Sequence, residues 1–145
     1  RSVADARACR PACDWRVLDL AAANDYPAWL AATGATAFDL VVFNAGVQVL
    51  RDFAPADGAH ADARSAREDL GIDEELRINL AAPIAMARAL PPYLAAGAAV
   101  VFVTSGLALA PKRSSPVYCA SKAGLRSFAK SLRAQWAPCG WRVVE

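Results

Sequence analysis

Two residues in the stretch PVYCASKAGL, Tyr118 and Lys122, could together carry out acid–base chemistry. On a helix, residues four positions apart lie on the same face, one turn apart. A phenol has an unperturbed pKa of about 10, and a neighbouring ammonium lowers it towards the range useful for proton transfer. Between and after the pair lie small residues, which leave room for a flat group against the helix: Ala120, Ser121, Ala123 and Gly124. Taken alone, the pair also fits a solvent-exposed helix face.

Three further residues favour a site over an exposed helix face. Ser105 ends the apolar run VVFVTSG, thirteen residues before Tyr118, where its hydroxyl could bond a carbonyl oxygen or belong to a turn. Gly46 ends the run VVFNAG and would let the backbone approach a ligand closely. Asn79 interrupts an apolar helix, where an amide is out of place unless it bonds to a specific partner.

The elements that must position these residues alternate between apolar strands and helices. Alternation of this kind requires parallel pairing through right-handed crossovers, and ligands then bind at the carboxyl ends of the strands. We therefore predict an α/β fold, a partial Rossmann-like doubly wound parallel sheet, as a single domain over 1–145. Strands are predicted at 15–20, 38–46, 98–106 and 141–145; helices at 24–34 (capped by Asn24, stopped by Gly34), 73–95 and 117–137; and a long connection at 47–71.

Composition and charge exclude several classes of protein. The 145 residues, 56% hydrophobic and 21% charged, are typical of one globular domain, and a net charge of +2 does not indicate binding to nucleic acid or to an anionic membrane. No run approaches the roughly 20 apolar residues of a membrane span, and the first residues resemble no secretory signal, so we predict a cytoplasmic protein. Scattered cysteines and a lone histidine predict free thiols and no metal site: Cys9, Cys13, Cys119, Cys139 and His60.

Together these motifs resemble the short-chain dehydrogenase/reductase family. In that family N-A-G ends a buried strand, a helix carries Asn, the next strand ends in Ser, and a helix begins with Tyr-x-x-x-Lys. The same features occur here in that order: NAG at 44–46, INLAAP around Asn79, VTSG around Ser105 and YCASK at 118–122. NAGVQ, ELRINLAAPI and the terminal VVE further resemble the bacterial branch named for a D-alanine-transfer-operon oxidoreductase. The resemblance covers nearly the whole chain.

The resemblance implies hydride transfer between NAD or NADP and a small-molecule secondary alcohol or its carbonyl form. It implies that Tyr118 is the acid–base group, that Ser105 orients and polarises the substrate oxygen, and that Asn79 holds a water of a proton relay. Lys122 would lower the pKa of the phenol and bond the nicotinamide ribose. At the other end of the cofactor, the resemblance implies that Asn44, Ala45 and Gly46 lie beside the adenosine ribose. It implies that Asp19 and Leu20 meet the adenine. Arg1 could contact the 2′-phosphate of NADP, or it could be a solvated terminal residue.

The family's glycine-rich phosphate loop, T-G-x-x-x-G-x-G, has no counterpart in this sequence, and neither does its substrate lid. Backbone N–H groups at a helix N-terminus anchor phosphates. We therefore expect an internal fragment that is inactive by itself, within a longer active protein that forms a homodimer or homotetramer through helices 73–95 and 117–137.

Two alternatives to an enzyme fit parts of the sequence. A non-catalytic dinucleotide-binding or scaffold protein would keep the fold but is expected to lack one of the four polar groups, all of which are present. A purely structural α/β domain gives no reason for Asn79 and Ser105 to occur with the Tyr118–Lys122 pair.

Overall fold

The computed structural model describes residues 13–53 and 70–145, and a parallel sheet of three strands lies at the centre of this part of the chain. The strands are β1 (Phe38–Phe43), β2 (Leu94–Phe102) and β3 (Arg142–Val144), in that spatial order. Val100 of β2 lies beside Val41 on one side and Val143 on the other. The α/β fold and the parallel pairing agree with the prediction.

Helices make the crossovers that parallel strands require. They are α1 (Tyr26–Ala32), α2 (Ile72–Leu76), α3 (Ala82–Ala89) and α4 (Pro116–Trp136). Between α2 and α3 the helical backbone continues through a π-helical turn, Arg77–Ala81. Short 3₁₀ turns follow at Pro91–Tyr93, Gly106–Ala108 and Ala137–Cys139.

Several boundaries differ from the sequence prediction. The cap of α1 is Asp25, whose carboxylate accepts from Ala28 N–H, and Asn24 instead bonds the carbonyl oxygen of Asp19. The helix predicted to reach residue 95 ends at Ala89, and β2 begins already at Leu94. Consecutive prolines at 91 and 92 explain the early end, because neither can donate a helical hydrogen bond.

The predicted strand at 15–20 is wrong for the described structure, because this segment forms no ladder with another described strand. Its arginine, Arg16, bonds the carbonyl oxygens of Ala32 and Thr33 at the end of α1. Within the described ranges β1 is likewise bonded on one side only, to β2. An apolar run becomes a strand only where a neighbouring strand supplies its hydrogen bonds.

The core lies on one face of the sheet. Its buried members come from β2, from β3 and from the helices and their ends: Leu30, Ala87, Leu90, Val100, Phe102, Leu125, Ala129, Leu132, Trp136 and Val143. Residues of β1 are partly buried against them. Phe102 stacks on Phe43 with ring centroids 4.8 Å apart. On the other face, Leu40 and Val42 are 58% and 50% exposed, so the described residues cover only one of the two faces that a doubly wound sheet has.

Some predictions concern residues outside the described part of the chain, namely Arg1, Cys9, His60 and most of the 47–71 connection. The three cysteines inside it, Cys13, Cys119 and Cys139, are free, as predicted. None of the described helices has the length and apolar character needed to cross a bilayer.

Candidate active site

Tyr118 and Lys122 lie in the first two turns of α4, which begins at Pro116 where the fixed φ of proline suits a helix start. The ammonium nitrogen of Lys122 is 5.8 Å from the centre of the Tyr118 ring. Lys122 is buried, at 3% exposure, and its Nζ donates to the carbonyl oxygen of Val103 at 2.8 Å. Burial lowers the pKa of Lys122 below its ordinary value of 10.5, because the charged form loses hydration.

Gly46 packs directly against this ammonium. A Cβ at position 46 would lie 3.3 Å from Lys122 Nζ and 3.2 Å from Asn79 Oδ1, closer than side chains normally approach. Only glycine leaves both groups where they are. The structure thus brings together three predicted residues, Gly46, Asn79 and Lys122, which come from the end of β1, the π-helical turn and α4.

Asn79 is fully buried, and its amide bonds a specific partner, as an amide in an apolar helix requires. Oδ1 accepts from Val47 N–H at 2.8 Å, and Nδ2 donates to the carbonyl oxygen of Val47 at 2.7 Å. Pro83 explains the π-helical turn around Asn79, because proline has no N–H for the carbonyl four residues earlier and its ring clashes with that carbonyl. π-helical turns of this kind occur often at functional sites.

Ser121, which sequence reasoning treated only as a small residue, connects the two helices of the site. Its hydroxyl donates to the carbonyl oxygen of Tyr118 at 2.7 Å and accepts from Asn79 Nδ2 at 3.2 Å. Ser121 is fully buried. A serine one turn after a tyrosine on an amphipathic helix gives no sequence signal of such a link.

Ser105 lies just after β2 and precedes the 3₁₀ turn Gly106–Ala108, which packs against α4. Its Oγ accepts from Leu107 N–H at 3.1 Å, so the turn interaction that the sequence allowed is present. This bond uses an acceptor lone pair of the hydroxyl and leaves its O–H free to donate. Within the described residues the Tyr118 hydroxyl has no protein hydrogen-bond partner.

A cavity of about 260 Å³ lies beside the carboxyl end of β1. Leu20, Asn44 and Ala45, all predicted at the adenosine end of a cofactor, line it. Asp19 is not among its lining residues; its carboxylate accepts from Ala21 N–H and forms the turn next to Leu20. The other lining residues were not predicted: Arg16, Leu18, Trp29, Val42, Phe43, Ala82, Pro83 and Met86.

Seven of the nine predicted site residues therefore fall into two groups at one edge of the sheet, and Asp19 and Ser105 belong to neither group. Leu20, Asn44 and Ala45 line part of the cavity, whereas Asn79 and Tyr118 lie near the buried ammonium of Lys122 in α4. Gly46, next to Ala45, touches the second group. The cavity could hold a flat ring, and Gly46 leaves space beside the cation of Lys122 and the phenol of Tyr118. This arrangement suits an elongated dinucleotide.

A family model for short chain dehydrogenases matches residues 7–145. The chain belongs to the short chain dehydrogenase family. The short chain dehydrogenase described here is 37% identical over 110 residues to an uncharacterized oxidoreductase, DltE, of Bacillus subtilis. That match covers 74% of this chain and 40% of DltE, so the chain spans less than half the length of this curated relative.

Solved structures agree with the fold. BdcA in complex with NADPH is 22% identical, with a TM-score of 0.73 over 95% of this short chain dehydrogenase and 52% of BdcA. A short chain dehydrogenase of Burkholderia cenocepacia in complex with NADP is 25% identical, with a TM-score of 0.66 over 87% of this chain and 49% of that one. The Rossmann-like assignment made from the sequence is thereby confirmed.

Sequence reasoning missed Glu75. This carboxylate is fully buried and lies one turn before Asn79. Its neighbours Asp73 and Glu74 are exposed, and by sequence alone all three acids suit the positive end of the helix dipole. The available signal was its spacing of four residues from Asn79, which places both on one helix face.

Proposed function

We propose that the protein carrying this chain is a nicotinamide-dependent oxidoreductase that interconverts a secondary alcohol and its carbonyl form, with Tyr118 as the acid–base group. The observation that carries the proposal is the buried Lys122 ammonium beside the Tyr118 ring. The described residues place no carboxylate on Lys122, whose Nζ bonds only a backbone carbonyl oxygen. A buried cation without a counter-ion is costly, and such groups are frequent at functional sites.

Tyr118 gives its hydroxyl proton to the carbonyl oxygen of the substrate during reduction and takes it back during oxidation. Lys122 stabilises the phenolate that this transfer leaves, because its positive charge acts across a poorly hydrated site. Two of its three N–H donors remain after the bond to Val103. Those donors can bond ribose hydroxyls.

Ser105 and Asn79 support the proton transfer. The Ser105 O–H donates to the substrate oxygen and stabilises the charge that develops there, while its lone pair keeps the bond to Leu107 N–H. Pro83 cannot donate to the backbone carbonyl of Asn79, so this carbonyl can hold a water. Such a water would return protons from solvent to the Lys122–Tyr118 pair.

NAD or NADP fits the residues that are present. The cavity lined by Leu20, Asn44 and Ala45 would hold the adenosine end, with Asp19 at its rim, and Gly46 leaves the space above Lys122 that a Cβ would fill. The cofactor, when bound, supplies or accepts the hydride. Two structural neighbours hold NADPH or NADP, which supports a cofactor of this class.

The decisive experiment replaces Tyr118 by Phe in the full-length protein. We expect kcat with a panel of ketones and secondary alcohols to fall by at least roughly 100-fold, because general acid–base catalysis contributes about 10²–10⁴. Binding of NADPH, followed by calorimetry, should remain close to wild type. Tyr93→Phe is the matched control, because Tyr93 precedes β2 at the end opposite to Ser105.

Wild-type turnover in Tyr118→Phe would refute the assignment of Tyr118. Cofactor binding by the wild type without turnover of any substrate in the panel would instead favour the non-catalytic dinucleotide-binding alternative.

A further inference from the structure

Glu75 is a buried acid to which the proton transfer above assigns no task. Burying a carboxylate is unfavourable unless it is paired and hydrogen-bonded. Its Oε2 accepts from Arg51 Nε at 3.3 Å, and its Oε1 accepts from Val49 N–H at 3.2 Å. Both partners belong to the residues that follow NAG, so the buried charge is directed at that part of the chain.

Glu75 and Asn79 both form side-chain hydrogen bonds with the residues that follow NAG. We call residues 47–51 the clamped segment. Asn79 bonds the N–H and the C=O of Val47, and Glu75 bonds the N–H of Val49 and the side chain of Arg51. The bonded groups belong to alternate residues, 47, 49 and 51. The two side chains thus hold one side of the clamped segment against the helix.

The clamped segment also bonds to the start of α4. Gln48 Nε2 donates to Ser115 Oγ at 2.8 Å, and Arg51 N–H donates to the carbonyl oxygen of Ser114 at 3.0 Å. Ser115 is fully buried and immediately precedes α4, in whose first turn Tyr118 lies. The segment therefore connects the helical turn of Asn79 to the helix turn that carries the phenol.

We propose that Glu75 is a positioning residue for the Tyr118–Lys122 pair. By holding the clamped segment between the two helices, it keeps Gly46 against Lys122 Nζ and fixes the first turn of α4. This inference rests on the proposed function, since the position of the pair affects rate only if the pair transfers the proton.

Glu75→Ala tests the inference in the full-length protein. The change leaves Val49 N–H without its acceptor and removes the bond of Arg51 Nε, although Arg51 Nη2 keeps its bond to the carbonyl oxygen of Leu70. The clamped segment should therefore loosen. A misplacement of about 1 Å can cost roughly 100-fold in rate, so we expect kcat to fall by up to that factor. Hydrogen exchange, followed by mass spectrometry, should become faster in residues 47–51 and in the first turn of α4.

Two variants separate positioning from general destabilisation. Glu75→Gln keeps an oxygen acceptor for Val49 N–H, and the partly exposed Arg51 side chain can turn to solvent, so most of the wild-type kcat should return. Glu74→Ala is the matched control, because the exposed Glu74 accepts from Gly71 N–H at 2.9 Å and stabilises the same helix without touching the clamped segment. It should keep the wild-type kcat wherever it is folded.

Equal losses of kcat in Glu74→Ala and Glu75→Ala, or an inactive Glu75→Gln, would overturn the inference. Unchanged exchange of residues 47–51 in Glu75→Ala would overturn it as well, whatever the activity. If the wild type shows no Tyr118-dependent turnover, the proposed function fails, and the exchange comparison still decides whether Glu75 holds the segment.

Discussion

Gly46→Ala should disturb the site by a calculable amount, because the new methyl group would meet two fixed atoms. The added Cβ would lie 3.3 Å from Lys122 Nζ and 3.2 Å from Asn79 Oδ1, whereas unstrained contacts of this kind are about 3.5–4.0 Å. Each neighbour must therefore yield by a few tenths of an ångström. Neither is free to do so, since Nζ bonds Val103 O and Oδ1 bonds Val47 N–H, both at 2.8 Å.

The energetic cost follows from this crowding. Overpacking typically costs about 1–3 kcal/mol, and Gly→Ala recovers about 0.4–1 kcal/mol through the unfolded chain where the backbone allows alanine. We expect the free energy of unfolding to fall by up to about 2 kcal/mol. A displaced Lys122 should lower kcat by about tenfold or more, because rates depend on sub-ångström placement.

The assay compares Gly46→Ala with Gly106→Ala in the full-length protein. Gly106 follows β2 at the same edge of the sheet, but a Cβ there would meet nothing within 4 Å. Urea unfolding followed by circular dichroism gives the stability of each variant, and steady-state kinetics gives kcat. If Gly46→Ala is as stable and as active as Gly106→Ala, the close approach described for Lys122 is not a constraint and the reasoning fails.

Three further outcomes are expected for the full-length protein. Lys122→Met should lose turnover yet resist urea at pH 7 at least as well as wild type, because it removes a buried charge. Burial lowers the pKa of Lys122, so the folded protein binds fewer protons than the unfolded chain as the pH rises towards 10.5. The free energy of unfolding of the wild type therefore increases with pH in this range, and the stability advantage of Lys122→Met shrinks. Urea titrations at several pH values would measure both changes. Ser105→Ala should reduce kcat by roughly 10²-fold with little effect on NADPH binding, and an unchanged kcat would remove Ser105 from the mechanism. Light scattering should find a dimer or tetramer, and a strictly monomeric protein would contradict the predicted association of the helices.

The elements that sequence predicted best are those whose limits are local. The helix predicted at 117–137 is Pro116–Trp136 in the structure, because a long amphipathic stretch is bounded by proline on both sides. The apolar runs of β1 and β2 are also recognisable in the sequence, but the strands predicted at 38–46 and 98–106 end earlier, at Phe43 and Phe102, and β2 begins already at Leu94. The prediction of a strand at 15–20 was wrong, because an apolar run does not reveal whether a partner strand lies beside it.

The parts of the site that escaped prediction depend on distant contacts. Glu75 is an ordinary first-turn acid by sequence, and its burial depends on Arg51 and Val49, which lie 24 and 26 residues away. The π-helical turn is invisible to hydrophobic periodicity, although Pro83 was a local signal of a helix irregularity four residues after Asn79. The roles suggested by the resemblance for Asn79, Ser105, Tyr118 and Lys122 remain predictions for experiment.

The π-helical turn Arg77–Ala81 also constrains how this chain can change in length. A π-helical turn is an α-helix with one extra residue, and deleting a residue between Glu75 and Pro83 would remove that extra residue. Each residue of an α-helix turns the chain by about 100°, and the deletion would swing Glu75 away from the clamped segment by that angle. Loops tolerate insertions and deletions of single residues. Between Glu75 and Pro83, in contrast, the number of residues matters as much as their identity, because it sets the direction in which Glu75 points.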